Sequence, residues 1–269
     1  MSRSLGVVVP AFRPDVTRLA GYVDALHAEL DPETIRVEVD DPTDRVAAAL
    51  ADMPATVNTS PYRRGKGAAV TAGFEAMDTS VLAFVDADGS TPAREARRVV
   101  AAVEGGSDLA VGSRRHPAAR ITSHQTFARR FLGDGFAWLA RRLLDVELYD
   151  YQCGTKAIDR DAWRAVRAHL YEAGFAWDVE LVAMAGALEL DVREVPITWE
   201  DQPGSTVSPV RDSLRLGRAL LTARHRAKQI RDSRVHNAIA ATRDEPTALV
   251  DRDPTARTDT DPTAQVDRD

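Results

Sequence analysis

The chain has 269 residues, of which 44% are apolar, and a formal net charge of −6 at pH 7. That length is sufficient for one globular domain with a sizeable core, and it leaves room for only a small appendage. No stretch approaches the roughly 18 consecutive apolar residues of a spanning helix, and the amino terminus lacks the basic-then-apolar pattern of a secretory signal, so we expect a cytoplasmic protein. Cys153 is the only cysteine. It therefore excludes an internal disulfide and most thiolate zinc sites, and we expect it to be buried as a small apolar residue.

The first 111 residues alternate short apolar runs with segments of helical spacing. Strands are predicted at 5–9, 35–39, 55–58, 81–85 and 108–111, and helices at 16–30, 45–50, a stretch ending at 77, and 93–103. Pro10 ends the first strand, and Thr91-Pro92 provides a cap and first turn for the last of these helices. Strands that alternate with helices indicate an α/β fold with a mostly parallel sheet covered by helices.

Beyond residue 111 helices predominate. Helical spacing predicts helices at 126–144, 161–169, about 175–188 and 210–234, and 192–197 is typical of a late strand. The last helix is basic, with lysine or arginine at 211, 215, 218, 224, 226, 228, 231 and 234. Such a charge run most often forms only a solvated helix face. We therefore place one domain at 1–235, with 211–234 as a candidate for contact with a membrane surface.

Residues 238–269 differ in composition from the rest of the chain. Pro-Thr-Ala recurs every eight residues, beginning at Pro246, Pro254 and Pro262, among aspartates and arginines with almost nothing apolar between them. A segment this polar cannot bury enough surface to offset its ordering entropy, and the repeat is too polar for a solenoid. We predict a disordered, acidic tail.

Two aspartates follow the predicted strand at 81–85, at the point where it stops. Asp86 and Asp88 are separated by one residue and precede a Gly-Ser turn. Open α/β sheets bind ligands beyond the carboxyl ends of their strands, and two neighbouring carboxylates can share a Mg²⁺ or Mn²⁺ ion while leaving positions free for phosphate oxygens. The alternative is an ordinary loop in which aspartate caps a helix. A calcium-binding EF-hand loop is excluded, because Arg97 stands where its bidentate glutamate would be.

Polar residues also follow the second and third predicted strands. Asp40 and Asp41 could accept hydrogen bonds from a base or ribose, or could cap the next helix. The sequence Arg64-Gly65-Lys66-Gly67 is not a Walker A loop, because Ser60 and Gly67 occupy the positions of its first glycine and of its Ser or Thr. Its glycines would let the backbone approach a nucleotide with Lys66 nearby, although an ordinary flexible turn explains them equally well.

Seven short motifs stand in a fixed order within residues 5–224. They are Val8-Val9-Pro10-Ala11-Phe12, Val39-Asp40-Asp41, Arg64 to Val70, Asp86 to Thr91, Gly112-Ser113-Arg114, Asp150 to Lys156 and Ala176 to Leu181. In order and spacing they resemble the family 2 glycosyltransferases with the GT-A fold, and among these the polyprenyl (dolichyl) phosphate glucosyl- and mannosyltransferases. Two departures are present: Arg13-Pro14-Asp15 replaces the family's Asn-Glu, and Pro42-Thr43 replaces its Gly-Ser.

The resemblance implies a nucleotide-diphosphate sugar, such as UDP-glucose or GDP-mannose, whose diphosphate is bridged by Mg²⁺ or Mn²⁺ to Asp86 and Asp88. It implies donor-binding roles for Pro10, Asp15, Asp40, Asp41, Lys66, Asp86 and Arg114. It implies contact with the acceptor phosphate for Arg129, Gln152, Lys156 and Glu180, and a catalytic role for Asp178 beside Asp86 and Asp88.

The implied reaction is inverting transfer of a hexose to a polyprenyl or dolichyl phosphate. Because this acceptor is already anionic at neutral pH, we expect a single displacement at the anomeric carbon without a strict need for a base such as Asp178. A metal ion would stabilise the charge on the leaving nucleoside diphosphate. We expect the enzyme to reach its lipid from the cytoplasmic face, as a peripheral protein held by the basic segment, so that truncation after Ser208 loses binding to anionic vesicles.

Two other functions are compatible with the same residues. One is a family 2 transferase with a hydroxyl acceptor. The other is a catalytically silent nucleotide-sugar-binding or membrane-adaptor protein, which the altered residues at 13–15 and 42–43 suggest. The intact Asp86, Asp88, Lys66 and Arg114 argue against a silent protein. No nucleic-acid partner is expected.

Overall fold

The computed structural model describes residues 3–122, 127–200, 209–232 and 246–252, with the side chains of 127–133 and 209–214 excepted. The strands are β1 (Leu5–Phe12), β2 (Thr34–Asp40), β3 (Thr56–Ser60), β4 (Val81–Val85), β5 (Leu109–Ser113), β6 (Arg120–Ile121), β7 (Thr155–Asp159), β8 (Val192–Pro196) and β9 (Thr198–Trp199). The helices are α1 (Val16–Leu30), α2 (Asp44–Leu50), α3 (Lys66–Glu75), α4 (Ala93–Glu104), α5 (Phe127–Leu143), α6 (Arg160–Val166), α7 (Trp177–Ala187) and α8 (Pro209–Ile230).

The central sheet confirms the predicted fold class. Its strand order is β3-β2-β1-β4-β7-β5-β8, and β6 pairs separately with β9. Neighbouring strands of the central sheet are parallel except around β7, which runs antiparallel to both β4 and β5. The strand order reverses between β1 and β4, and in open α/β sheets such a switch point opens a crevice at the carboxyl ends of the strands.

Apolar side chains cover both faces of this sheet, because successive residues of a strand point to opposite sides. On β1, Val7 and Val9 belong to the core beneath α1 and α4, whereas Val8 belongs to the core on the other face, with Phe84 and Trp177. Helix α7 is buried along its whole length and forms the centre of that second layer. Its polar residues are therefore held inside the domain.

The strands of the first half end level with one another. Phe12 pairs with Asp40, and Asp40 pairs with Ser60, so β1, β2 and β3 stop at the same edge. Strand β4 stops at Val85, beside Thr155 of β7. The loops that follow these strands consequently gather at one edge of the sheet.

Helix α8 packs against α7 and contributes to the core. Leu220, Ala223 and Ala227 are buried in the same cluster as Trp177. Truncation after Ser208 would remove these side chains, so loss of vesicle binding by a truncated chain would not isolate a membrane role. None of the helices within the described ranges has the length and apolar content needed to cross a bilayer.

Residues 246–252 lie in the segment predicted to be a disordered tail, yet they pack on the domain. Leu249–Asp251 forms a 3₁₀ turn, Leu249 is buried, and its N–H donates to the carbonyl of Leu170 at 2.8 Å. Arg252 donates from Nη2 to the carbonyl of Tyr171 at 2.8 Å. The prediction of disorder is corrected for this short stretch, since Ala248 and Leu249 find an apolar surface. Residues 238–245 and 253–269 lie outside the described residues.

Candidate active site

The acidic pair lies at the carboxyl end of β4, where the strand order reverses. The N–H of Asp86 donates to the carbonyl of Gly154 at 2.8 Å, and 40% of the Asp86 side chain is exposed. Asp88 is exposed, and its Oδ1 accepts the N–H of Ser90 at 2.9 Å. Gly89 makes the turn with a φ of 70°. A cavity of about 370 Å³ lies beside Asp88 and Gly89, between α1 and the start of α4, and neither Asp86 nor Lys66 lines it. Both carboxylates thus reach the surface at the expected edge.

Gly154 touches the first of these carboxylates. A Cβ placed on Gly154 would lie 1.8 Å from Oδ2 of Asp86, far inside van der Waals contact. The residue before β7 must therefore be glycine if the Asp86 carboxylate is to keep its position. Sequence analysis placed Gly154 in a motif without giving it a role, because this contact exists only once β7 lies beside β4.

A row of alternating charges runs inward from Asp86. Lys66 places Nζ 2.9 Å from Oδ1 of Asp86 and 2.8 Å from Oδ2 of Asp178. Lys156 places Nζ 2.5 Å from Oδ1 of Asp178 and 2.8 Å from the carbonyl of Cys153. Burial alone would lower the pKa of Lys66, but Asp178 and Asp86 outweigh it and raise that pKa above its usual value. Burial alone would raise the pKa of Asp178, but Lys156 and Lys66 lower it. Both shifts favour the charged forms of Lys66 and Asp178.

Asp178 and Lys156 are both sealed from solvent in this row, with side-chain exposures of 0% and 1%. Asp178 was expected to act near the acceptor, and Lys156 to bind the acceptor phosphate. The structure corrects both expectations, since neither charged group faces the crevice. Asp178 instead holds Lys66 against Asp86. Replacing Asp178 by Asn would leave two buried ammonium groups short of a charge partner, so it would not be a clean test for a base.

The glycines on either side of Lys66 are in close contact with a second loop and do not border open space. A Cβ on Gly65 would lie 2.5 Å from the carbonyl oxygen of Ala173, and one on Gly67 would lie 2.4 Å from that of Glu172. Gly65 also has a φ of 96°, which disfavours side chains. The loop at 171–176 therefore fixes the first turn of α3 by direct backbone contact, which neither the nucleotide-approach nor the flexible-turn interpretation anticipated.

Asp40 is buried, and it anchors the same turn from the opposite side. Its Oδ2 accepts the N–H groups of Arg64 and Gly65 at 2.8 and 2.9 Å, and its Oδ1 accepts Nε of Arg64 at 2.7 Å. Arg64 also reaches the fully buried Glu38 at 3.1 Å. This geometry corrects the expectation that Asp40 binds the base or ribose, because its oxygens already serve three donors of the chain.

Asp41 is the exposed member of that pair. It adopts a φ of 48°, and its N–H donates to the carbonyl of Ser60 at 2.9 Å, which turns the side chain away from the strand. Nearby at the end of β1, the partly exposed ring of Phe12 lies 5.1 Å from the guanidinium of Arg13 and 4.3 Å from that of Arg63. These cation–π contacts hold an aromatic ring and two guanidinium groups together at the end of β1.

The remaining predicted donor residues near β1 have local structural roles. Asp15 caps α1, because its side chain accepts the N–H of Arg18 at 3.0 Å. Pro10 does not end the first strand as predicted: it lies within β1, which continues to Phe12, and it pairs with Glu38 of β2. The helix cap at Asp15 therefore fixes the conformation of the loop after β1. The family that the chain resembles has Asn-Glu in this loop instead.

Arg114 is held rigidly by Asp150 at the end of β5. Its Nε and Nη2 donate to the two carboxylate oxygens at 2.7 and 3.0 Å, and its backbone N–H donates to Oδ2 at 3.2 Å. Burial alone would raise the pKa of Asp150, but the Arg114 guanidinium outweighs it and lowers that pKa to about 2. Burial alone would lower the pKa of Arg114, but Asp150 and, to a smaller extent, Asp86 raise it. From the sequence, Asp150 was recognised only as part of a motif. Its buried ion pair with Arg114 adds it to the residues of the site.

Among the described side chains, the predicted acceptor-phosphate residues have separate structural roles. Glu180 is buried on the far side of α7, where it accepts the N–H groups of Tyr171 and Glu172 at 2.8 and 2.7 Å, so the structure corrects its expected role. Gln152 is partly buried, and its N–H donates to Asp150 at 3.1 Å. The side chain of Arg129 lies outside the described residues.

The acid pair fits a metal that is shared with a ligand. Within the described ranges, no cluster of three or more His, Cys, Asp or Glu side chains could hold a metal by itself. Mg²⁺ and Mn²⁺ are commonly bound by one or two carboxylates together with substrate phosphates and water. Burial raises the pKa of Asp86 despite the nearby Lys66, so an added cation would favour its ionised form. Asp86 and Asp88 suit such a partial site.

The fold and the site together define the GT-A class of transferase domains, with an open α/β sheet and an acid pair at the strand reversal. The family model described as "Glycosyl transferase family 2" matches residues 7–166. The chain belongs to this family, which confirms the resemblance seen in the motifs.

Curated relatives agree with this placement. The chain is 31% identical over 231 residues to glycosyltransferase AglD of Haloferax volcanii, covering 81% of this chain and 36% of that protein. It is 29% identical over 250 residues to dolichyl-phosphate beta-glucosyltransferase of Mus musculus, covering 84% and 76%. It is 30% identical over 209 residues to polyprenol monophosphomannose synthase of Mycolicibacterium smegmatis, covering 73% and 77%. The chain thus spans about a third of the length of AglD and about three quarters of the other two.

Solved structures show the same fold at lower identity. Glucosyl-3-phosphoglycerate synthase from Mycobacterium tuberculosis, in complex with Mn²⁺, UDP and glucosyl-3-phosphoglycerate, superposes with a TM-score of 0.63 at 15% identity, covering 82% of this chain and 80% of that one. Mannosyl-3-phosphoglycerate synthase from Rubrobacter xylanophilus superposes with a TM-score of 0.64 at 18% identity, covering 94% and 80%.

Proposed function

We propose that this chain transfers a hexose from a nucleotide-diphosphate sugar to a polyprenyl or dolichyl phosphate, with inversion. The observation that carries the proposal is the acid pair Asp86 and Asp88, exposed at the strand reversal with the Lys66 ammonium 2.9 Å from Asp86. The names of the mouse and mycobacterial relatives support a lipid-phosphate acceptor.

The donor would lie across the ends of β1, β2 and β4. The exposed Asp41 would accept a hydrogen bond from the base or ribose, and the Phe12 ring would support the base. Lys66 would donate to the diphosphate from its position beside Asp86. Because Asp178 and Lys156 keep Lys66 in place, its ammonium need not reorganise far when the donor binds.

A divalent ion, Mg²⁺ or Mn²⁺, would be held by Asp86 and Asp88 and would neutralise charge on the leaving nucleoside diphosphate. Its support is the chemistry of the two exposed carboxylates and the Mn²⁺ and UDP in a solved neighbour of the same fold. Gly154 and Ser90 keep the two carboxylates at the crevice.

The acceptor phosphate would approach from the side of Arg114. Asp150 fixes the orientation of the Arg114 guanidinium. The N–H groups that Asp150 does not bind can therefore donate to an anion in a defined direction. A phosphate monoester is anionic at neutral pH and can attack the anomeric carbon without a base. The burial of Asp178 supports this mechanism, because the acid offered for that role does not face the crevice.

The proposal extends to a peripheral position at the cytoplasmic face of a membrane. Three of the basic residues expected to meet lipid are paired with acids of the chain: Arg226 with Glu180, Lys228 with Asp145, and Arg231 with Asp145 and Glu189. The support that remains is the exposure of apolar and cationic side chains on α5 and α8: Trp138 and Leu221 are 56% and 57% exposed, and Arg215 and Arg218 are also exposed. Exposed apolar and cationic side chains favour contact with anionic lipid.

The activity is tested with purified protein, radiolabelled UDP- and GDP-hexoses and polyprenyl phosphate, with and without Mn²⁺. We expect label to enter the organic phase with one donor class, and to fall by about a hundredfold or more in Asp86→Asn, since a charge that stabilises the leaving group is lost. Asp161→Asn, on the exposed start of α6, is the matched control and should retain full activity.

The other outcomes distinguish the alternatives. If label entered a water-soluble hydroxyl acceptor and none entered the lipid, the acceptor would be a hydroxyl group and not a lipid phosphate. Binding of a nucleotide sugar without any transfer or hydrolysis, with or without metal, would identify a silent binding protein instead.

A further inference from the structure

The loop at 171–176 is held by a buried carboxylate that is shared between two elements. Glu180 of α7 is 2% exposed. Its Oε2 accepts the N–H groups of Tyr171 and Glu172 at 2.8 and 2.7 Å. Its Oε1 pairs with the guanidinium of Arg226, on α8. One oxygen therefore binds the loop and the other binds α8.

The same loop caps the helix that begins with Lys66. The carbonyl of Ala173 accepts the N–H of Ala68 at 3.0 Å, and the carbonyl of Gly174 accepts the N–H of Gly67 at 3.3 Å. First-turn amides of a helix have no partner within the helix, so these bonds fix where α3 starts. The close contacts at Gly65 and Gly67 leave no space between the two segments. A shift of the loop must therefore move the backbone that carries Lys66.

Arg226 is the point at which α8 meets this loop. Its guanidinium lies 4.4 Å from the centre of the Tyr171 ring in addition to its pairing with Glu180. Lys228, two residues further along the helix, pairs instead with Asp145 at 3.0 Å. Two cations on one helix thus differ in whether they contact the loop.

We propose that Arg226 and Glu180 are positioning residues for Lys66, acting through the loop at 171–176 and the first turn of α3. Seating of α8 and ordering of the donor site are then coupled, so that the helix proposed to meet the membrane also sets the cation beside Asp86. The inference rests on the proposed function for the role of Lys66 in donor binding. A contiguous chain of hydrogen bonds and close contacts carries the coupling.

A purely structural clamp would give a different result. Removing a partner of a buried charge lowers stability whatever the rest of the site does. It would not change donor affinity in the protein that remains folded, and it would speed amide exchange throughout the core rather than in the first turn of α3 in particular. Positioning requires weaker donor binding together with faster exchange at 64–70 than in the other core helices.

The experiment compares Arg226→Met, Arg226→Lys and Glu180→Gln with Lys228→Met as the matched control, all in the full chain. Binding of UDP- and GDP-hexoses with Mn²⁺ is measured by calorimetry, and hydrogen exchange is followed in peptides spanning 64–70. We expect Arg226→Met to weaken donor binding roughly threefold to thirtyfold and to speed exchange at Gly67 and Ala68. Arg226→Lys should restore most of both, and Lys228→Met should match the wild type.

Glu180→Gln keeps an oxygen for the loop amides but loses the ion pair with Arg226, so it isolates the link to α8 if Arg226→Met does not fold. We expect it to weaken binding in the same direction. Donor affinity equal to that of Lys228→Met, or unchanged exchange at 64–70, would overturn the inference. If the wild type binds none of the nucleotide sugars, the proposed function fails, and the exchange measurement still decides whether α8 orders the first turn of α3.

Discussion

Gly154 has only a hydrogen atom where other residues have a Cβ. The Asp86 carboxylate occupies the space that this leaves. The backbone of Gly154 has an ordinary φ, so alanine is excluded there only by its Cβ, 1.8 Å from Oδ2 of Asp86. Because 40% of the Asp86 side chain is exposed, it can rotate away instead of unfolding the sheet. We therefore predict that Gly154→Ala stays folded but loses activity at least tenfold, together with Mn²⁺-dependent donor binding. Calorimetric titration and the organic-phase transfer assay measure the two losses.

Gly135 provides the matched control for this substitution. It lies on the exposed side of α5, and a Cβ there would have nothing within 4 Å. Gly135→Ala should leave activity unchanged and raise stability by up to about 1 kcal/mol, because alanine is the better helix former. Full donor binding by Gly154→Ala would mean that the position of Asp86 does not matter as proposed.

Individual residues also show where prediction from sequence stops. The acids at the ends of β2 and β4 were expected at the edge of the sheet, and they lie there, because parallel strands bring their carboxyl ends together. Sequence could not distinguish Asp40, which is buried by Arg64, from Asp41, which is exposed. That difference depends on which side of the turn each carboxylate faces. The order of residues along the sequence does not show this orientation.

Among the elements, the strands and helices of the first half follow the predicted pattern closely because their apolar spacing is regular. Strand β7 was missed. Its sequence, Thr155-Lys156-Ala157-Ile158-Asp159, lacks an apolar run, yet it lies in the middle of the sheet between β4 and β5. The buried Lys156 is the reason: a lysine in a central strand is tolerated here only because Asp178 neutralises it from α7. A partner so distant in sequence gives no local signal.

Helix α8 leads to a prediction at the scale of one element. Arg226 and Lys228 of this helix are paired with acids, whereas Arg215 and Arg218 are exposed on the same helix as the exposed Leu221. Each cation near an anionic surface contributes on the order of 1 kcal/mol, so Arg215→Ser with Arg218→Ser should weaken binding to anionic vesicles roughly tenfold or more. Co-sedimentation with vesicles of increasing anionic lipid content measures the change, and donor binding should stay at the wild-type value.

A second double variant controls for the loss of two charges. Arg97 and Arg98 lie on α4, against the opposite face of the sheet, and pair with Glu104 and Glu95. Replacing both by Ser should leave vesicle binding nearly unchanged. Equal weakening by the two double variants would show a general effect of net charge and would count against α8 as the contact surface.

Across the whole molecule, buried ion pairs connect the parts of the site. Asp40 with Arg64, Asp178 with its two lysines, Asp150 with Arg114 and Glu180 with Arg226 each join two elements that are distant in sequence. The last seven described residues add Arg252, which donates to the same loop that Glu180 holds. The overall charge of −6 predicts none of these pairs, because net charge carries no information on which charges meet.

These pairs make the stability of the fold depend on pH, and Asp150 gives the clearest case. Its folded pKa of about 2 lies below the ordinary value of an aspartate, so its contribution is present above about pH 4 and is lost as pH falls towards 2. That shift corresponds to a free energy of unfolding on the order of 2 kcal/mol. Asp150 is nearly fully buried, so solvent screening reduces this figure little.

We predict that the free energy of unfolding of the wild type falls more steeply between pH 5 and pH 2 than that of Asp150→Asn, by this amount on the order of 2 kcal/mol. Urea titrations at successive pH values measure both slopes. The variant starts from a lower stability at pH 7, since Arg114 loses its charged partner, but every other acid still titrates in both proteins. The difference between the slopes therefore belongs to Asp150, and parallel curves would show that the Arg114 pair does not lower its pKa.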